Sequence, residues 1–137
     1  MNSDLLRDNL KVDEGYRTKA YQCSEGHLTI GVGWNLDARG LPPEIIEQLL
    51  TLSIEDTKAG LNRSLTWWGA LPETAQRGLC NLTFCVGVGG VLKFTKMLAA
   101  LKSGDFEEAA VQVMDSLFAK QTGARARRIA ELFRDCK

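Results

Sequence analysis

Three side chains near the N-terminus have types that can share one piece of chemistry: Glu14, Cys23 and Thr29. Glu14 is expected to be the last residue of a first helix. Ser3 is suited to cap that helix, Asp4 sits in its first turn, Leu6 and Leu10 share a face, and Gly15 is a fitting stop. A helix C-terminus carries partial negative charge, which disfavours a second negative charge there. Partial burial acts in the same direction. Both would keep a proton on Glu14 near neutral pH, and a carboxyl group in that state can protonate a leaving oxygen. Cys23 lies at a turn, and Thr29 follows on a strand. Together they could hold a water molecule. Taken singly, a glutamate at a helix end, a turn cysteine and a strand threonine are more often structural.

The elements that must position these groups follow from the periodicity. From Arg17 to Trp34 the period is two: Leu28, Ile30, Val32 and Trp34 alternate with Thr29, Gly31 and Gly33. This predicts a strand with one apolar face and one nearly bare face, along which another group can approach the backbone. Ser24, Glu25 and Gly26 make the preceding turn. A helix is expected from about Pro43 to Leu61, with Ile46, Leu49, Leu50 and Ile54 as its stripe. Thr66 to Leu71 reads as a turn carrying Trp67 and Trp68. A helix from Pro72 runs through Ala75, Leu79, Leu82 and Val86 until Gly87, Gly89 and Gly90 break it. Phe94, Met97, Leu98 and Leu101 mark the next, ended by Gly104. Asp105 caps another, with Phe106, Ala110, Val113 and Leu117 inward. Ile129, Leu132 and Phe133 belong to the last. The expected architecture is α+β: an N-terminal helix with a small β lobe (1–42), a linking helix (43–62) and a larger helical lobe (63–137), with a cleft between the lobes.

Composition narrows the class. The chain has 137 residues, 45% hydrophobic and 25% charged, with zero net charge. That balance fits one globular domain and gives no global argument for nucleic acid or an anionic membrane. Lys120, Arg125, Arg127, Arg128, Arg134 and Lys137 crowd the C-terminal end, either as a solvated helix face or as a binding patch. No apolar run is long enough to span a bilayer, and the first residues lack the apolar stretch of a signal peptide. The expected location is therefore a cytoplasm, unless something else releases the protein. Cys23, Cys80, Cys85 and Cys136 form no CxxC pair and no zinc spacing with the single histidine, His27. Free thiols and no metal or other cofactor are expected.

The stretch DEGYRTKAYQCSEGHLTIGVGW, Asp13 to Trp34, resembles the phage-type lysozymes, the T-even phage group of glycoside hydrolase family 24. The family pattern is a glutamate, eight residues, an aspartate or cysteine, five residues and a threonine. Glu14, Cys23 and Thr29 fit it without a gap. NLTFCVGVGG (Asn81 to Gly90), FEEAAVQV (Phe106 to Val113) and QTGARARR (Gln121 to Arg128) resemble later family segments, so the likeness covers nearly the whole chain.

The resemblance implies a lysozyme-like fold and an N-acetylmuramidase that cuts the β-1,4 bond from N-acetylmuramic acid to N-acetylglucosamine in peptidoglycan. It implies Glu14 as proton donor, with Cys23 and Thr29 positioning a water that inverts the anomeric carbon. Direct attack by a Cys23 thiolate is the alternative; nothing near it in sequence clearly lowers its pKa, and an ordinary thiol is mostly neutral near pH 7. Gly31 and Gly33 would let a sugar lie along the strand. Glu25, Phe84, Cys85, Gln112 and Phe118 are implied contacts for sugar or peptide stem, and Arg125 would approach Glu14. The partner implied is the glycan strand, met by a monomer that a separate holin-like protein releases from the cytoplasm to the wall. Where many members pair a histidine with an aspartate, this chain has Trp34 and Ser53, a structural ion pair exchanged for packing. Two other readings stay open: a catalytically inactive peptidoglycan-binding or scaffolding module, and a helical regulator that binds nucleic acid through its basic end. The TIGVG strand and the neutral net charge speak against the second.

Overall fold

The computed structural model describes residues 1–136; Lys137, part of the expected basic cluster, lies outside the described residues. The chain forms two compact units, Met1–Gln48 and Leu49 to the end of the described residues. The division falls inside a long helix instead of at either of its ends.

In the N-terminal unit, α1 spans Ser3–Glu14. Its cap is Asn2, whose side chain accepts from the Leu5 N–H at 3.1 Å, so Ser3 is the first helical residue and not the cap. Gly15 ends the helix at φ 85°, and its N–H donates to the Lys11 carbonyl. Three antiparallel strands follow in the order β1 (Arg17–Gln22), β2 (Leu28–Gly31), β3 (Trp34–Asn35). Tyr21 pairs with Thr29 and Gln22 with Leu28, and a bulge lies between Arg17 and Tyr21. Ile30 pairs with Trp34 across a tight turn.

That turn corrects the expected single strand from Leu28 to Trp34. Gly31 and Gly33 sit at φ 68° and 69°, values that a pleated strand does not adopt and that favour glycine. Gly31 ends β2 and Gly33 lies in the turn, so the chain reverses between the two glycines. The expected burial is also inverted. Thr29 is buried at 5% exposure, whereas Leu28 and Val32 are exposed. The short helix α2 (Leu36–Arg39) then braces the hairpin: Asp37 accepts from the Leu28 N–H at 2.7 Å, and Asn35 caps α2 through the Ala38 N–H. Trp34 belongs to the same brace. Its Nε1–H donates to the Gly40 carbonyl at 2.7 Å, and the Arg39 guanidinium stacks 3.6 Å from the ring centroid.

The helix α3 covers Pro43–Ser64, with proline in its first turn. A single 3-10 turn (Trp68–Ala70) buries Trp68, whose Nε1–H donates to Asn62 at 2.7 Å. The helix α4 (Glu73–Val91) is interrupted only at Gly87, at φ 78° and ψ 167°; Gly89 and Gly90 remain helical. Then come α5 (Thr95–Ser103), α6 (Phe106–Met114), α7 (Leu117–Thr122) and α8 (Ala124–Arg134). Asp105 caps α6 as expected, accepting from the Glu108 N–H. Leu117 does not continue the α6 stripe. Ser116 caps a new helix there, which leaves Leu117 at 69% exposure and turns Phe118 inward. No single described helix is long and apolar enough to cross a membrane.

The hydrophobic core lies in this C-terminal unit. Leu79, Leu82, Met97, Leu101, Val113, Ile129 and Phe133 are fully buried. The helices α4 and α8 meet closely because Gly78 has no side chain: a Cβ there would lie 2.8 Å from Cε1 of Phe133. Phe133 is fully enclosed, so its ring cannot step aside. Gly78→Ala should therefore destabilise the fold, an overpacking cost of about 1–3 kcal/mol exceeding the helix-propensity gain of at most about 1 kcal/mol. Gly89→Ala, with open space around its Cβ, should leave Tm unchanged or raised. Scanning calorimetry of the two variants checks this pair of outcomes.

Candidate active site

Glu14, Cys23 and Thr29 all fall in the N-terminal unit, on α1, at the end of β1 and on β2. Their placement is built from local hydrogen bonds. The turn from Cys23 to His27 closes when the Cys23 N–H donates to the His27 carbonyl at 2.9 Å and the Gly26 N–H donates to the Cys23 carbonyl at 2.8 Å. The Thr29 hydroxyl donates to that same His27 carbonyl at 2.9 Å. A carbonyl oxygen has two lone pairs, so it accepts both bonds and ties the cysteine to the threonine.

Cys23 is half-buried, and its sulfur is within reach of the backbone of this turn. Its pKa is lowered, first by hydrogen bonding from the His27 backbone, then from the Glu25 backbone, with a smaller contribution from the Thr29 hydroxyl. Partial burial and the Glu25 charge oppose the shift without reversing it. This corrects the expectation that nothing near Cys23 favours its thiolate. The donors are backbone amides of a turn, which no residue type announces. Hydrogen bonds from N–H groups favour the thiolate over the thiol at this position.

Glu14 ends α1 with its carboxylate against the hairpin turn. A Cβ built on Gly33 would meet Glu14 Oε2 at 2.9 Å and Cδ at 3.2 Å. The expected partial burial is not found, since Glu14 is exposed. Glu25 is exposed too, and its carboxylate lies 3.8 Å from His27 Nε2. Gly31 has open space around it.

The remaining expected contacts fall in the C-terminal unit and are not gathered in one place. Phe84 and Arg125 line a groove of about 540 Å³ with Trp68, Cys80, Asn81 and Leu132. Arg125 is held there by Asn81, donating to its side-chain and backbone oxygens at 2.9 and 3.2 Å. Burial pushes the Cys80 thiol up. Gln112 lines a separate pocket of about 370 Å³ and donates to Glu108 at 2.7 Å. Cys85 is exposed and lines neither. Phe118, expected to contact a ligand, is a core residue at 6% exposure and is not available to one. Its helical phase was reset by the Ser116 cap. Among the described residues, no group of three His, Cys, Asp or Glu is arranged to hold a metal.

Sequence reasoning missed two residues that shape this site and the role of a third. The His27 carbonyl joins Cys23 to Thr29 and Asp37 holds the start of β2, while Gly33, expected beside a sugar, receives the Glu14 carboxylate. Asp37 alone left a signal, as an acid following a capping asparagine.

An acid-ended helix, a three-stranded antiparallel sheet and a helical unit define an α+β, lysozyme-like protein. The phage lysozyme family model matches residues 11–131, and the chain belongs to that family. It is 32% identical to the pre-baseplate central spike protein Gp5 of Enterobacteria phage T4, over 90% of this chain and 26% of that protein. The chain thus spans about a quarter of the spike protein's length. It is 25% identical to a probable T4-type lysozyme 2 of Dictyostelium discoideum, over 93% of this chain and 92% of the relative. It is 32% identical to an endolysin of Acyrthosiphon pisum secondary endosymbiont phage 1, over 85% and 80% of the two chains. Family membership supports a lysozyme-type glycoside hydrolase, for which peptidoglycan is the implied substrate.

The turn makes a chemical prediction. A lowered pKa populates the Cys23 thiolate at lower pH, and a raised one delays the Cys80 thiolate to higher pH. Alkylation by iodoacetamide, followed by peptide mass spectrometry across pH 6–10, should give a Cys23 midpoint below that of a free cysteine peptide and a Cys80 midpoint above it.

Proposed function

We propose that the chain hydrolyses the β-1,4 bond between N-acetylmuramic acid and N-acetylglucosamine in peptidoglycan, with inversion at the anomeric carbon. The observation that carries this reading is the single unit that holds an acid at a helix end and a cysteine–threonine pair tied through one carbonyl. The endolysin and T4-type lysozyme relatives support the substrate class.

Glu14 gives its proton to the glycosidic oxygen as the bond to the anomeric carbon breaks. A water held by Thr29 and Cys23 attacks that carbon from the opposite face. The Thr29 hydroxyl donates to the His27 carbonyl, and its lone pairs can accept from the water. The Cys23 thiolate takes the proton that the water loses. Glu14 ends as a carboxylate and Cys23 as a thiol, and exchange with solvent restores both. A sugar resting near Gly31 meets no side chain there.

The lowered Cys23 pKa favours a second reading, in which the thiolate attacks the anomeric carbon itself and a glycosyl thioether is hydrolysed in a later step. The first reading is preferred because the family pattern admits either cysteine or aspartate at this position.

Loss of turbidity of bacterial cell walls tests the assignment. Glu14→Gln should lower the rate by about 10²–10⁴-fold, the usual contribution of a general acid. Cys23→Asp should retain more activity than Cys23→Ala, because it restores the charge. Digestion by Glu14→Gln at the unaltered rate contradicts Glu14 as the proton donor, and binding of walls without digestion by the unaltered chain leaves a module without catalysis.

A further inference from the structure

We propose that Gly33 is a positioning residue for Glu14: the side chain it lacks is the space in which the Glu14 carboxylate rests. This rests on the reading of Glu14 as proton donor. The argument begins from two glycines in one turn. Gly31 and Gly33 have nearly the same φ, 68° and 69°, so both positions are unfavourable for any residue with a Cβ. Their surroundings differ. A Cβ on Gly31 would have no neighbour within 4 Å, whereas one on Gly33 would lie 2.9 Å from Oε2, 3.2 Å from Cδ and 3.4 Å from Cβ of Glu14. The turn alone therefore explains Gly31, but it does not fully explain Gly33.

The contact acts on the position of the acid more than on the stability of the fold. Glu14 is exposed, and within its own unit no hydrogen bond or ion pair anchors the carboxylate. A methyl group at position 33 would displace that free end at little cost to folding. A general acid, however, needs to lie within hydrogen-bond reach of the oxygen it protonates, and a shift of about 1 Å can cost about 100-fold in rate. The expected loss is in kcat, because binding of the glycan does not depend on where this proton sits.

The experiment compares Gly33→Ala and Gly31→Ala in the full chain, with the Glu14 side-chain carboxyl followed by carbon-13 NMR. Gly33→Asn is the companion variant: asparagine tolerates the left-handed backbone and carries the same Cβ. The carboxyl signal should move in Gly33→Ala and Gly33→Asn and stay in place in Gly31→Ala. In wall digestion, kcat of both Gly33 variants should fall roughly 10–100-fold with KM changed by less than about threefold. Gly40→Ala, another left-handed glycine with open space, should keep kcat within about threefold. Equal movement of the Glu14 signal in the Gly31 and Gly33 variants, or an unmoved signal in both, overturns the proposal. The NMR comparison needs no substrate, so its failure is separate from a failure of the glycosidase reading, which Glu14→Gln tests.

Discussion

The His27 carbonyl oxygen accepts from the Cys23 N–H and from the Thr29 hydroxyl, and the geometry of the turn that joins Cys23 to Thr29 depends on that shared acceptor. Each bond contributes about 0.5–1.5 kcal/mol, modest as stability. Their value is geometric. They close the turn after β1, set the start of β2 and tie a turn residue to a strand residue through one oxygen. The same closure brings the His27 and Glu25 amides to the Cys23 sulfur, so the thiolate is stabilised by the bonds that position it. Asp37 and the Trp34–Arg39 stack hold the other side of the hairpin.

Much of this was readable in the residues, and the exceptions share a cause. Gly15 correctly marked the end of α1, and the apolar stripes of α4, α5 and α8 named Leu79, Leu82, Met97, Leu101, Ile129 and Phe133 of the core, because those signals are local. Alternation in Leu28–Trp34 misled, since period two is shared by a strand and by a glycine turn; only the sign of φ separates them. Leu117 fitted the phase of α6, but Ser116 offered a cap that restarted the helix and exchanged Leu117 for Phe118 in the core. The lowered Cys23 pKa was invisible for another reason. Its causes are main-chain groups, and every residue has those.

Two departures from the family pattern take on physical meaning. Cysteine in place of aspartate costs less charge than a free thiol would, because the turn favours the thiolate. Trp34, in place of a histidine, is held by Arg39 and the Gly40 carbonyl within its own unit and so has a packing role that needs no acidic partner.

The central claim is that a water, aimed by Cys23 and Thr29, attacks the sugar opposite the Glu14 proton. Proton NMR of the reducing end released in the first minutes of digestion, before mutarotation, tests it most directly. The account predicts the α anomer from the β-linked glycan. A β anomer would contradict it and assign Cys23 the role of nucleophile.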